Sequence, residues 1–485
     1  MTECSSTSTQ AAFTFFHPQR VTVTFDEGDV TTDAGVLLLR QLDDRLGLTA
    51  ALASALRDWR NPIFVLHPLQ EMLRERVFGI AQGYEDCNDA ASLRDEPLFK
   101  AICRDGDDVA LASQPTLSRF ENRAALGGLE AARHVLLDSL IGRYKRRFIR
   151  PKRLMLDVDT TDDQTHGQQD LAFFNGHYGN HCYRHLLIHT VEGDLLFVAL
   201  LPGKGDVREV ALAAIREVVA ELRGAFPGLV LALRADNGFA CPELYDFCED
   251  HEVEYFVNVG TYPTMVKQLE SQQKRARELF KALDEKVPVQ VFGEFQYQAE
   301  SWRQPRRIVG QAAHTLIGPD ERFLVTNSIH PMGDVYACYA GRGQEENWIK
   351  DFKLGLKSGR LSCTSFEANE LRLLMFGGAY QLLHELRRRA SKPLRTLRLE
   401  TLRLRLSCGS TRQEDRAPPL GARERVLPVA RRLAAAGVVR GRLGYLTLPR
   451  SKPERKPRPG DRGGRGCPCP DSTGHCRVHA RGCEL

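Results

Sequence analysis

The stretch Lys152–Thr161, "KRLMLDVDTT", decides how the rest of the chain is read. It alternates as a strand does, with Leu154, Leu156 and Val158 on one face and Met155, Asp157 and Asp159 on the other. Carboxylates on a buried strand are costly unless a cation neutralises them. For any single Asp a bridging Arg or Lys is the structural answer; a metal ion is the chemical one. The character of the chain also changes here.

Upstream, residues 1–150 read as a helical N-terminal region. "DAGVLLLRQLDDRLGLTAALASALRDW" and "PLQEMLRERVFGIAQGYED" carry apolar residues at helical spacing. In "LASQPTLSRFENRAALGG", Ser113 and Pro115 resemble a helix start. Leu117 and Phe120 then share one face, leaving Thr116, Ser118, Arg119, Asn122 and Arg123 for contacts such as a DNA groove. A polar surface helix fits the same residues.

Downstream, "YRHLLIHTVEGDLLFVALLPG" reads as a hairpin turning at Glu192–Asp194. Helix "REVALAAIREVVAELRGA", strand "GLVLALRAD", helix "CPELYDFCEDH" and strand "VEYFVNVG" follow. A hairpin and then alternating strands and helices predict an α/β mixed sheet with helices packed on it. Residues 151–265 form its first part. Residues 266–329 differ: a charged helix precedes "VPVQVFGEFQY", "RRIVGQAAHTLI" and "RFLVTNSI", which read as a β-rich insertion. Helical pattern resumes over 330–400. The tail, 401–485, is rich in Arg, Pro and Gly and reads as disordered.

A further acidic residue ends a strand: Asp236, in "RADNGF", with Asn237-Gly238 turning the chain. Strand ends are where open α/β sheets place their sites. The third candidate region is "YAGRGQEENWIKDFK", Tyr339–Lys353. Steps of 3, 4 and 7 residues separate Tyr339, Arg342, Glu346 and Lys353. At about 100° per residue they share one helical stripe, and Glu345 is turned about 100° away. Two strand carboxylates and a helix glutamate supply hard oxygen ligands of the kind that hold Mg²⁺ or Mn²⁺. Three carboxylates suffice for two ions, one activating the attacking oxygen of a phosphodiester and one stabilising the leaving oxygen.

With these residues in view the chain resembles the DDE transposases of bacterial insertion sequences, in the branch with a Tyr-Arg-Glu-Lys signature. Tyr339, Arg342, Glu346 and Lys353 fit that signature without a gap. "LDVDTTDDQTHGQQ" is similar to the family's first-aspartate strand, and "LRADNGFA" to its second-aspartate block. "YEDCNDAASLRDEPLFK" and "LASQPTLSRFEN" resemble N-terminal segments of these enzymes.

The resemblance implies a ribonuclease-H-like core interrupted by the β-rich insertion, with Asp159, Asp236 and Glu346 as ligands to two Mg²⁺ or Mn²⁺ ions. Asp157, on the same face, stays open as an alternative to Asp159. Tyr339, Arg342 and Lys353 would grip the transposon end, and Trp302, in "ESWRQP", would stack a flipped base. Ordinary sheet packing is the competing reading of Trp302. The implied activity is cut-and-paste transposition by a homodimer on paired DNA ends: cleavage at terminal inverted repeats, then strand transfer to target DNA. A nuclease without strand transfer, or an inactive DNA-binding relic, are the rivals. The pattern departs from the family near Ser407, which leaves the activity of this copy open.

Other signals are weaker. His177, His181, His185 and His189 recur every four residues, but their surroundings read as turn and strand, not a zinc-binding helix. Cys467, Cys469, Cys476 and Cys483 lack a zinc-finger spacing. There is no Walker-type phosphate loop. Composition agrees with a cytoplasmic, nucleoid-associated protein. The 485 residues hold 42% apolar residues and 13 scattered cysteines, which suit a reducing compartment. No long apolar span and no secretory leader are read. From Thr401 onward 19 Lys and Arg face 7 Asp and Glu, so the net +5 hides a basic tail on an acidic body.

Overall fold

A computed structural model describes residues 11–13, 21–23, 33 and 35–406, apart from 105–108, 125–127, 148 and 284–286. A short antiparallel pair, β1 (Ala11–Phe13) and β2 (Val21–Val23), precedes the helical region. The first long helix expected from the sequence is two helices, α1 (Val36–Leu46) and α2 (Leu48–Ala55). Gly47 divides them at φ +73°, its N–H donating to Asp43 O at 2.7 Å. A left-handed residue ends a helix however strong the periodicity around it, and Gly bears that conformation without a Cβ clash. Then come α3 (Leu69–Gln82), α4 (Ala90–Leu93), α5 (Pro97–Cys103), α6 (Gln114–Ala124) and α7 (Leu129–Arg146).

One nine-stranded mixed sheet follows. Its strands are β3 (Arg153–Gln164), β4 (Phe173–Asn175), β5 (Asn180–Thr190), β6 (Leu195–Leu201), β7 (Val230–Ala235), β8 (Glu254–Val259), β9 (Val289–Tyr297), β10 (Arg306–Thr315) and β11 (Gly318–Thr326). They lie in the order β4-β5-β3-β7-β8-β11-β10-β9, with β6 also on β5. Pairing is parallel at β3–β7 and β7–β8 and antiparallel elsewhere. The parallel strands need crossovers. These are supplied by α8 (Val207–Ala225) and α9 (Pro242–Asp250); α10 (Pro263–Gln268) and α11 (Glu270–Ala282) lie between β8 and β9. After β11 come α12 (Met332–Ala340), α13 (Glu345–Lys350), α14 (Phe366–Arg389), α15 (Lys392–Arg395) and α16 (Leu399–Leu406).

Alternation along β3 sorts the core into layers. Leu154, Leu156 and Val158 pack with α8, α9 and part of α7, while Met155 turns to the opposite face with α12. On that opposite face, β5 and β6 side chains join α1–α7 and α14 in one apolar cluster. Helix α14 is buried nearly all round, as a core helix is. Its buried charges are paired: Arg372 with Glu121 at 3.4 Å, Arg387 with Asp351 at 2.5 Å, and Glu385 with Arg143 at 3.1 Å. The helical N-terminal region therefore shares its core with α14 and the sheet. Within residues 266–329, β9–β11 prolong the main sheet through the β8–β11 pairing. The tail from residue 407, with its cysteines, lies outside the described residues.

Candidate active site

The register of β3 on β7 builds the site. Asp157 stands opposite Arg234, and Val158 opposite Ala235, the last pair of the ladder. Asp159 and Asp236 are therefore the next residues along two adjacent parallel strands, on the same face as Asp157 and Arg234.

The two β3 aspartates have different surroundings. Asp157 is fully buried, and Arg234 grips it with two bonds, Nε to Oδ1 at 2.5 Å and Nη2 to Oδ2 at 2.6 Å. Arg234 Nη1 also donates to Cys338 O at 2.7 Å, and a Cβ at Gly341 would sit 2.7 Å from that nitrogen. Asp157 is thus the bridged aspartate that sequence reasoning allowed for. Asp159 accepts from Thr160 N at 2.8 Å and faces Arg342 Nη2 at 2.7 Å. The same nitrogen is 3.8 Å from Asp236, whose other oxygen caps the turn after β7 by accepting from Gly238 N at 2.8 Å. Burial pushes the Asp159 carboxyl up to about 7; Arg342 opposes this, and the negative charge of Glu345 and Asp236 adds to it.

The segment carrying Arg342 is not a uniform α-helix. A 3₁₀ turn, Gly341–Gln344, joins α12 to α13, and a π-helical turn, Asp351–Gly355, follows. In a 3₁₀ turn residues i and i+3 eclipse. The glutamate brought onto Arg342 is accordingly Glu345, with Oε2 3.7 Å from Arg342 Nε. Glu345 is fully buried, neither oxygen has a hydrogen-bond partner, and its carboxyl is pushed up by burial and by Asp157. His189, opposite Asp157 on β5, has its ring 3.7 Å away, and burial lowers its imidazole to about 4. Glu345 and His189 thus face each other in a fully buried setting, where burial disfavours a charge on either group. Glu346 points outward to Lys350 at 3.4 Å, 65% exposed.

The expected stripe is therefore split. Tyr339 stays beside the cluster, its phenol pushed up first by burial, with Asp236 and Asp159 adding to this and Arg342 opposing it. Lys353, carried by the π turn, donates to Asp162 at 2.6 Å and Thr161 at 3.4 Å on β3. Trp348 seats α13 on the β5–β6 turn: its ring lies where a Cβ at Gly193 would come within 2.7 Å, and Nε1 donates to Val191 O at 3.3 Å.

The remaining predicted residues lie elsewhere. Arg119 sits exposed on α6, 3.4 Å from Thr116 Oγ1. Trp302 is packed against Tyr245 and Tyr297 at centroid separations of 5.5 and 5.7 Å, with the Arg306 guanidinium 5.3 Å away. These contacts fit the sheet-packing reading of Trp302, whose side chain is partly buried. His185 and His189 are buried on β5, with His185 3.2 Å from Asp163. Sequence reasoning turned Glu345 and Trp348 away from the stripe, read His189 only as a polar histidine beside the site, and did not single out Arg234. Arg234 had a signal, since it precedes Asp236 by two and shares its face.

As they stand, no three His, Cys, Asp or Glu side chains among the described residues are gathered to hold an ion. The Arg342 guanidinium is the cation between Asp159 and Asp236. Their oxygens suit a hard divalent ion, and burial, the first cause of the raised Asp159 carboxyl, disfavours its charge unless a cation stands beside it. Among the described residues no helix is long and apolar enough to cross a membrane.

A solved structure titled as a piggyBac transposase synaptic complex with hairpin DNA matches at 10% identity, covering 87% of this chain and 88% of that one, with a TM-score of 0.40. A search of the curated proteins gives no match. The family model described as the transposase DDE domain, group 1, matches residues 13–410. With nearly the whole described chain inside that match, this protein belongs to the DDE transposase family.

Proposed function

We propose that this transposase moves an insertion sequence by cut-and-paste, cleaving DNA at terminal inverted repeats and joining the freed ends to target DNA. The observation that supports this is the pair Asp159 and Asp236, side by side on parallel strands and sharing one guanidinium. Asp159, Asp236 and Glu346 would hold two Mg²⁺ or Mn²⁺ ions once Arg342 turns out. Bound there, such ions activate an attacking oxygen and stabilise a leaving one.

The protein's own groups do the rest. Arg342, released from the aspartates, carries its charge to a phosphate of the DNA end, and Lys353 and Tyr339 flank it. Glu345, buried, holds the start of α13 against His189. Glu346, exposed beside it, is free to turn toward the aspartates. We read β3, β5, β7 and β8 with their helices as a ribonuclease-H-like core, and α10–α11 with β9–β11 as its insertion. The helical N-terminal region, through Arg119, would read the ends, with the protein acting as a homodimer at the nucleoid.

One observation favours a second assignment of the third ligand: it is Glu345 whose carboxyl lies at Arg342. The test uses DNA carrying the inverted repeats that flank the gene, purified protein and Mg²⁺. Cleavage and joined products are expected from the parent, and neither from Asp159→Asn or Glu346→Gln. Cleavage surviving in Glu346→Gln but lost in Glu345→Gln transfers the role to Glu345. Cleavage without joined product in the parent leaves a nuclease, not a transposase reaction.

A further inference from the structure

The connection between α2 and α3 places large apolar side chains in water. Ile63 is 84% exposed, Phe64 83% and Leu66 62%, and Trp59 is also exposed. The turn is nevertheless built. Asn61 Oδ1 accepts from Ile63 N at 3.1 Å, and Phe64 N donates to Asn61 O at 3.0 Å. Pro62 restricts the backbone, and Arg60 binds Asp58 at 2.7 Å while donating to His67 O at 2.8 Å. Preorganised apolar groups aimed at solvent mark an interaction site.

The surroundings of this tip are basic. Arg123, on α6, lies with its guanidinium 4.4 Å over the Trp59 ring, tying the turn to the helix that carries Arg119. Arg57, Arg94, Arg119 and Arg123 are exposed, with no acidic partner assigned among the described residues. Of the nearby acids, Asp58 is held by Arg60 and Glu71 by Arg104, and Glu121 is buried against Arg76; Asp95 is exposed beside Arg94. Burial, and the charge of Arg104, Arg60 and Arg94, depress the His67 imidazole beneath the turn. A second copy docking here about a two-fold axis would press this basic ring against itself. A polyanion with apolar faces between its charges meets both features.

We propose that the Asn61–Leu66 turn is a DNA wedge: Ile63 and Phe64 enter a groove and unstack a base step, while Arg57, Arg119 and Arg123 hold the flanking phosphates. Apolar wedges between base steps work in this way, and phosphate contacts set their register. The proposal rests on the DNA-transposase reading but uses none of its carboxylates.

The experiment uses full-length protein and a mixed-sequence duplex with 2-aminopurine placed at TA steps, the most easily unstacked. The parent is expected to bind and to raise the fluorescence. Ile63→Ala/Phe64→Ala, at an exposed tip, is expected to abolish the rise and weaken binding about tenfold, leaving the salt dependence unchanged. Phe64→Leu keeps part of the rise. Arg119→Gln/Arg123→Gln is expected to reduce the slope of log affinity against log salt by roughly two. Unchanged fluorescence and affinity in the alanine pair overturn the wedge and leave the transposase reading standing. Loss of a dimer in that variant, seen by light scattering with DNA affinity intact, overturns it in favour of a second copy. No duplex binding by the parent overturns the DNA reading beneath both.

Discussion

Asp157 and Asp159 are two residues apart on one face of one strand, and each meets an arginine. The resemblance ends there. Arg234 reaches Asp157 from the neighbouring strand with two parallel bonds, in a fully buried setting, and both carboxylate oxygens are used. Arg342 reaches Asp159 with one nitrogen from a 3₁₀ turn, shares it with Asp236, and stands near solvent with its Nε unbonded. A bidentate pair inside a ladder locks two strands together. A guanidinium shared between two carboxylates is a cation that another cation, or a phosphate, can displace. The strand thus carries a clamped aspartate and a loosely held one side by side.

Breaking the first pair is expected to cost the most. Arg234→Ala leaves Asp157 buried and uncompensated, and urea unfolding should show a loss of about 3–5 kcal/mol. A loss under about 1 kcal/mol would mean that Asp157 is not the structural member. Asp159→Asn sharpens the contrast from the other side. Strand-cleavage rates should fall on the order of 10²–10³-fold, equivalent to about 2.7–4 kcal/mol, as when a group poised for developing charge is lost. Its unfolding free energy should stay within about 1 kcal/mol of the parent, because Arg342 keeps Asp236 and solvent.

The support of the second pair can be disturbed without touching a charge. Gly193→Ala puts a methyl group into the Trp348 ring at a residue with φ +86°, so α13 must shift. About 1–3 kcal/mol of stability should be lost, with a change in tryptophan emission and a fall in cleavage rate. Unaltered emission and activity would show that Trp348 does not position α13. The smallest stability effect belongs to Glu346→Gln. Its contact with Lys350 is an exposed i,i+4 pair, so thermal melting should report about 0.5 kcal/mol or less. A larger loss would place Glu346 in packing and not in chemistry.

Much of this was legible in order along the chain. The alternation around Asp157 and Asp159, the hairpin turning at Gly193 and the strand ending at Asp236 appear in the structure at those positions. Periodicity reports such elements because burial of one face is a local demand on spacing. The α1–α2 break was missed because a single left-handed Gly overrides an otherwise continuous helical pattern. The Tyr339–Lys353 stripe was drawn for a uniform α-helix. It splits where the backbone tightens to 3₁₀ and widens to π, a shift of about 20° per residue or a single added residue; Gly341 and Gly343 mark the first change, and the second has no compositional mark.

By itself, then, the sequence determined which residues carry charge on apolar strands, the alternation of strands and helices, and the motif set of the DDE transposase family. Each is a property of residue type and short-range spacing. Tertiary structure alone decided which aspartate is neutralised by its neighbour, which of two adjacent glutamates is buried, and that the helical region shares its core with α14. Those outcomes depend on strand register and on small changes of helical pitch. Both are set by packing between segments far apart in the chain, where one residue of offset exchanges a buried group for an exposed one.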